Sequence, residues 1–131
     1  GFRALKVWLV LRHAGLDGYR RMIADDVRLA RELFDAVRAE PELEVGTCGL
    51  SIATFRYAPA DLRRGDAGDE RRLDELNVRL LARLKAGGEV FLSNAVVGGR
   101  FLLRACVCNF RTSISDVRAV PEIVLRYARS L

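Results

Sequence analysis

The sequence has a single histidine, a single tryptophan, three prolines and three cysteines in 131 residues. With His13 alone, no histidine-based metal set can be assembled, and no Ser/His/Asp triad is evident. His13 closes an apolar stretch and reads as a helix-end residue bonded to the last carbonyls, not as a ligand or base. The cysteines, Cys48, Cys106 and Cys108, are odd in number and no secretory signal accompanies them. That argues for reduced thiols in a cytoplasmic setting. Cys106 and Cys108 lack the Cys-x-x-Cys spacing of a zinc site and read as buried structural cysteines. There is no Gly-x-Gly-x-x-Gly and no Walker loop, which excludes two common phosphate cradles. No apolar run reaches the length of a membrane span, Val7 to Leu11 being far too short, so no membrane partner is expected. Asp25 and Asp26 are adjacent and point apart on a helix, so they form no carboxylate dyad.

The chain is rich in arginine. The net charge is +5 and the isoelectric point about 9.6. Such a balance can mark a polyanion partner. Here, however, the basic residues alternate with acids (Asp25, Asp26, Arg28, Arg31, Glu32), the pattern of a solvated helix face. No nucleic-acid partner is expected on this ground. Half of the residues are hydrophobic, enough for one domain with a core.

Phe2 to Ala14 is apolar nearly all round and predicts a helix buried on most sides, ended by Gly15. Such a helix at the edge of a small domain calls for a partner surface to cover it. A second helix is expected from Leu16 or Asp17 to Ala39, stopped before Pro41. Strands are expected at Leu43 to Cys48 and Leu50 to Tyr57. A polar loop over 58–68, expected to be a mobile surface excursion, and a helix over Asp69 to Ala86 follow. Strands at Glu89 to Ala95 and Arg100 to Cys108 are expected to form a hairpin across Val96 to Gly99. Ser113 and Asp116 make a capping box for a last helix to Arg129, with Pro121 expected to kink it. This order predicts an α+β fold: a four-stranded, mainly antiparallel sheet with helices packed on one face.

The strand from Phe101 to Val107 is apolar at almost every position except Arg104. A charge inside a buried strand is costly unless paired. Arg104 is therefore either held by a carboxylate within the fold or positioned to receive one from outside, and the residues leave both readings open.

Three stretches carry a resemblance: Phe2-Arg3-Ala4-Leu5-Lys6-Val7-Trp8; Gly15-Leu16-Asp17-Gly18-Tyr19; and the closing Phe101-Leu102-Leu103-Arg104-Ala105-Cys106-Val107-Cys108-Asn109-Phe110-Arg111-Thr112. In this order they resemble the C-terminal part of the pyridoxal-phosphate-dependent group II amino-acid decarboxylases, with a lean toward the aromatic-amino-acid branch. The resemblance implies the small C-terminal domain of fold-type I enzymes, residues 1–14 being a buried connecting helix and 15–131 the α+β domain. It implies pyridoxal 5'-phosphate in the full-length protein and none in this fragment, because the family's Schiff-base lysine lies upstream. Lys6 is not that lysine and is expected in a structural or surface role. No catalytic, cofactor-binding or metal-binding residue is expected in the chain itself. The implied partners are the missing large domain, a second copy in a cytoplasmic homodimer, and a small amino-acid substrate. Arg104 matches an arginine that grips the substrate carboxylate in related glutamate enzymes, which makes it the candidate substrate anchor. Arg111 and Thr112 are expected to anchor the strand-to-helix turn, and Phe2, Arg3 and Trp8 to pack against the absent domain. The alternative from a different class is a stand-alone ligand- or RNA-binding or dimerisation module. The start at Gly1-Phe2 reads as an excised piece of something longer, or as a tag scar.

Overall fold

The structure is a computed structural model that describes residues 2–131; Gly1 lies outside the described residues. Helix α1 (Arg3–Arg38) contains one non-helical residue, Gly15, with φ 68° and ψ 167°. The two helices expected on either side of Gly15 are therefore present within this range, with the break between them at that glycine. Leu29, Ala30, Leu33 and Val37 form its buried stripe at three- and four-residue spacing. Strands β1 (Leu43–Gly49) and β2 (Ile52–Tyr57) pair as a hairpin. Helix α2 (Ala67–Gly87) is capped by the Asp66 carboxylate, which accepts from the Gly68 and Asp69 N–H groups, and ends at Gly88 in the left-handed region. Strands β3 (Ser93–Val97) and β4 (Arg100–Cys106) are joined by Gly98 and Gly99. Both glycines have positive φ, as the tight turns that match strand twist require. Helix α3 (Ile114–Ala128) starts in the expected capping box: Ser113 Oγ accepts from the Asp116 N–H, and Asp116 accepts from the Ser113 N–H.

The four strands form one antiparallel sheet in the order β1-β2-β4-β3. Phe55, Ala53, Leu103 and Ala105 face one way and pack against Leu33 and Val37 of α1, Leu80 and Leu84 of α2, and Val117 and Val124 of α3. This is the expected α+β arrangement, with one core between the sheet and its helices.

Several local expectations change. The third strand begins at Ser93 rather than Glu89. Glu89 is instead drawn to α3, accepting from Arg126 Nη2 at 2.7 Å and from the Tyr127 hydroxyl at 2.8 Å. Helix α3 carries Pro121 in its interior, as expected, and is unbroken from Ile114 to Ala128. The 58–66 loop is built rather than loose. Ala58 donates to Glu42 O, Gly65 donates to Glu70 Oε1, and Leu62 packs with Leu73 in a small apolar cluster. The three cysteines are exposed, not buried. Cys106 lies on the side of β4 away from the core, and Cys108 lies past the end of the strand. Residues 3–14 are exposed as well, Trp8 at 56% and Val7 at 61%, so this chain does not itself supply the burial expected for that helix.

Candidate functional site on the outer face of the sheet

Side chains alternate across a strand, so the residues between the core positions form an outer face. There, Thr54, Arg104 and Ser93 stand in one row across β2, β4 and β3. At the β1 end of that row the pairing is bulged: Val45 is opposite Phe55 and Cys48 is opposite Ala53, leaving Gly46 and Thr47 to face Thr54 alone. The Thr47 N–H donates to Thr54 Oγ1 at 2.7 Å, and the two hydroxyls lie 2.9 Å apart. Gly46 is required at this place. A Cβ there would stand 2.5 Å from Thr54 Oγ1 and 2.6 Å from Leu102 Cδ1. The bulge thus folds over Thr54 and buries it beside Arg104.

Two arginines rise from this face and their situations are opposite. Arg56 is fully buried, at 0% exposure, and fully engaged. Its Nε donates to Glu44 Oε2 at 2.7 Å, while Nη1 and Nη2 donate to the two oxygens of Glu70 at 2.6 and 3.0 Å. Glu44 also accepts from Arg100 Nη1 at 3.0 Å. The Arg56 guanidinium, helped by the Gly65 N–H, holds the Glu70 carboxyl down to about 2. Arg104 is half-buried and has only a long contact, Nη1 to Ser93 Oγ at 3.4 Å. Among the described residues, no carboxylate lies within ion-pair distance of it. The demand for a buried partner is therefore met at Arg56, and Arg104 keeps a guanidinium fork available to a carboxylate from elsewhere.

Sequence reasoning missed Arg56, although the signal was present: an arginine inside a strand rich in β-formers, the same signature as Arg104. The turn after β4 is held chiefly by Asn109. Its side-chain oxygen accepts from the Arg111 N–H at 3.0 Å and its carbonyl from the Thr112 N–H at 2.9 Å. Arg111 and Thr112 thus contribute backbone groups to that turn. A pyridoxal phosphate aldehyde needs a lysine amine, and the chain's two lysines, Lys6 and Lys85, both stand exposed on helices. The residues present do not make a site for that cofactor by themselves. The core-facing placement of Phe55 and Tyr57 leaves the strand positions of the outer face without an aromatic platform for bases. No helix among the described residues is long and apolar enough to cross a membrane.

A four-stranded antiparallel sheet, helices on one face and an arginine without a carboxylate partner on the other define the class: a small α+β domain. No family model matches the chain. It is 37% identical over 128 residues to tyrosine decarboxylase 2 of Arabidopsis thaliana, covering 97% of this chain and 22% of that protein. It is 36% identical over 132 residues to phenylacetaldehyde synthase of a Rosa hybrid cultivar, covering 99% of the chain and 26% of that protein. The crystal structure of Oryza sativa TDC with PLP superposes with a TM-score of 0.83 at 30% identity, over 98% of this chain and 27% of that one. Over nearly its whole length the chain matches the C-terminal segment of pyridoxal-phosphate-dependent amino-acid decarboxylases, and its structural neighbours are group II enzymes of that kind. It spans about a quarter of the length of the curated relatives it matches. The relatives give no support to a stand-alone binding module.

Proposed function

We propose that the intact protein is a pyridoxal-phosphate-dependent decarboxylase of aromatic L-amino acids, with residues 15–131 as its small domain. The observation that carries this is the match to aromatic-amino-acid enzymes over nearly the whole chain. Residues 2–14 are the connecting helix, whose exposed apolar side chains the large domain covers; the cofactor and its lysine reside in that domain. The working form is a cytoplasmic homodimer. Within this chain, Arg104 binds the substrate carboxylate through its free guanidinium and so orients the bond to be broken. Because a relative is a phenylacetaldehyde synthase, the product can be an amine or an aldehyde.

The test supplies the intact, cofactor-loaded protein with tyrosine, tryptophan and phenylalanine, and follows CO₂ release and the organic product. Release of CO₂ with an aromatic amine supports decarboxylation, and an aldehyde assigns the synthase outcome. No CO₂ from any aromatic amino acid overturns the proposal. For Arg104, R104A lowers kcat/KM about 100-fold, the size of a lost charge-assisted pair, and R104K recovers part of it. Unchanged kinetics in a folded R104A protein would assign Arg104 to structure.

A further inference from the structure

We propose that Ser93 is the positioning residue of Arg104: its hydroxyl holds Nη1 of the guanidinium, so that the edge formed by Nε and Nη2 is presented to a carboxylate. This aiming role rests on the reading of Arg104 as the substrate anchor.

A long arginine side chain that is not held spreads over many rotamers, and ordering it costs free energy at the moment of binding. Arg56, on the same face, shows what full holding requires: Nε, Nη1 and Nη2 are all bound, by Glu44 and Glu70. Arg104 has one such contact, from Nη1 to Ser93 Oγ at 3.4 Å, and among the described residues Nε and Nη2 have none. A held Nη1 beside an open Nε–Nη2 edge suits a carboxylate, because that edge offers parallel N–H groups to both of its oxygens.

Ser93 is itself fixed in place. Its backbone sits directly opposite Arg104 in the pairing of β3 with β4. Leu92 before it is buried in the core, and Asn94 after it pairs with core-lining Leu103, so the Ser93 side chain turns to the outer face. There its hydroxyl donates to Arg104 O at 3.4 Å. A hydroxyl has a single proton. Giving it to the carbonyl turns the oxygen lone pairs toward the guanidinium, which has only protons to give. The serine thus ties the tip of the Arg104 side chain to its own backbone. The other neighbour in the row does not compete. Thr54 stands opposite Arg104 on β2, but its Oγ1 accepts from the Thr47 N–H at 2.7 Å and donates to Thr47 O at 3.3 Å. Thr54 is buried and walls Arg104 on that side.

The test measures two ligands by calorimetry on the intact, cofactor-loaded protein. One is 3-phenylpropanoate, which has a carboxylate and no amine; the other is 2-phenylethylamine, which has an amine and no carboxylate. S93A and S93V remove the hydroxyl, whereas S93T keeps it on a side chain shaped like valine. S93A and S93V are expected to weaken 3-phenylpropanoate about fivefold, the size of one lost hydrogen bond, with S93T binding as the unaltered protein does. Binding of 2-phenylethylamine is expected to be the same in all of them. R104A is measured beside these variants. Unchanged 3-phenylpropanoate binding in S93A and S93V beside a weakened R104A overturns the proposal and leaves Arg104 as the anchor. Equal weakening of both ligands, or S93T as weak as S93V, assigns Ser93 to the fold and also overturns it. If R104A binds 3-phenylpropanoate as the unaltered protein does, the reading of Arg104 fails and the role of Ser93 fails with it.

Discussion

Asn77 takes both backbone groups of Tyr57. Its Oδ1 accepts from the Tyr57 N–H and its Nδ2 donates to Tyr57 O, each at 2.8 Å. The pairing of β2 with β4 runs as far as Phe55 and Leu103. Two residues further, Tyr57 would meet Phe101, but the Phe101 N–H donates to Asp74 Oδ1 at 2.8 Å. Side chains of α2 thus stand where the next rung of the sheet would be, which locks the helix to two strands at once. N77A leaves a buried donor and a buried acceptor without partners. We expect a loss of about 2–4 kcal/mol, read from the denaturant midpoint at unchanged m-value.

The Glu70 carboxyl is held at about 2 instead of 4.5. A depressed carboxyl contributes stability that is complete above its ordinary value and is lost as pH falls toward the folded-state value. At pH 7 E70Q is therefore less stable than the unaltered chain, and the gap closes between pH 4.5 and about 2. Urea melts at a series of pH values check this. A gap that does not change with pH would assign the loss to something other than charge.

Arg56→Met is more severe. It leaves Glu44 and Glu70 facing a site built for a guanidinium. Removing one partner of a buried ion pair costs about 3–5 kcal/mol. The double variant R56M/E70M is expected to recover part of that, measured as a double-mutant cycle.

Gly46→Ala forces a methyl group against Thr54 Oγ1 and Leu102. The bulge must open or Thr54 must turn, at a cost of about 1–3 kcal/mol. Thermal unfolding checks the size, and amide exchange at Thr47 and Thr54 checks the place.

Trp8→Ser with Leu11→Ser removes two exposed apolar side chains of the arm. Because neither belongs to the core, the melting temperature of the isolated chain is expected to stay within the error of the measurement. On the proposal that a large domain covers residues 2–14, the same pair lowers the stability of the intact protein. Equal melting temperatures in both settings would remove that role from residues 2–14.

Much of the fold is legible in local sequence. The stripes of α1 and α2, the capping box at Ser113, the Gly98-Gly99 turn and the break at Gly15 each depend on residues a few positions apart. The strand start at Ser93 was not legible, because Glu89 is claimed by Arg126 and Tyr127, far along the chain. Neither was the exposure of Cys106 and Cys108: Cys106 stands on the face of β4 away from the core and Cys108 lies past the end of that strand, although the apolar run carries on through both.

The sequence by itself determined the element order and the α+β class, and it carried the resemblance that the relatives support. Only the tertiary structure decided which arginine is satisfied. Arg56 and Arg104 look alike in sequence, each a single cation in an apolar strand. Glu44 reaches Arg56 through β1 pairing and Glu70 through the docking of α2, whereas Arg104 has only Ser93 beside it. A charge is satisfied by what comes within a few ångströms, and that proximity is created by packing between elements, which local pattern does not encode.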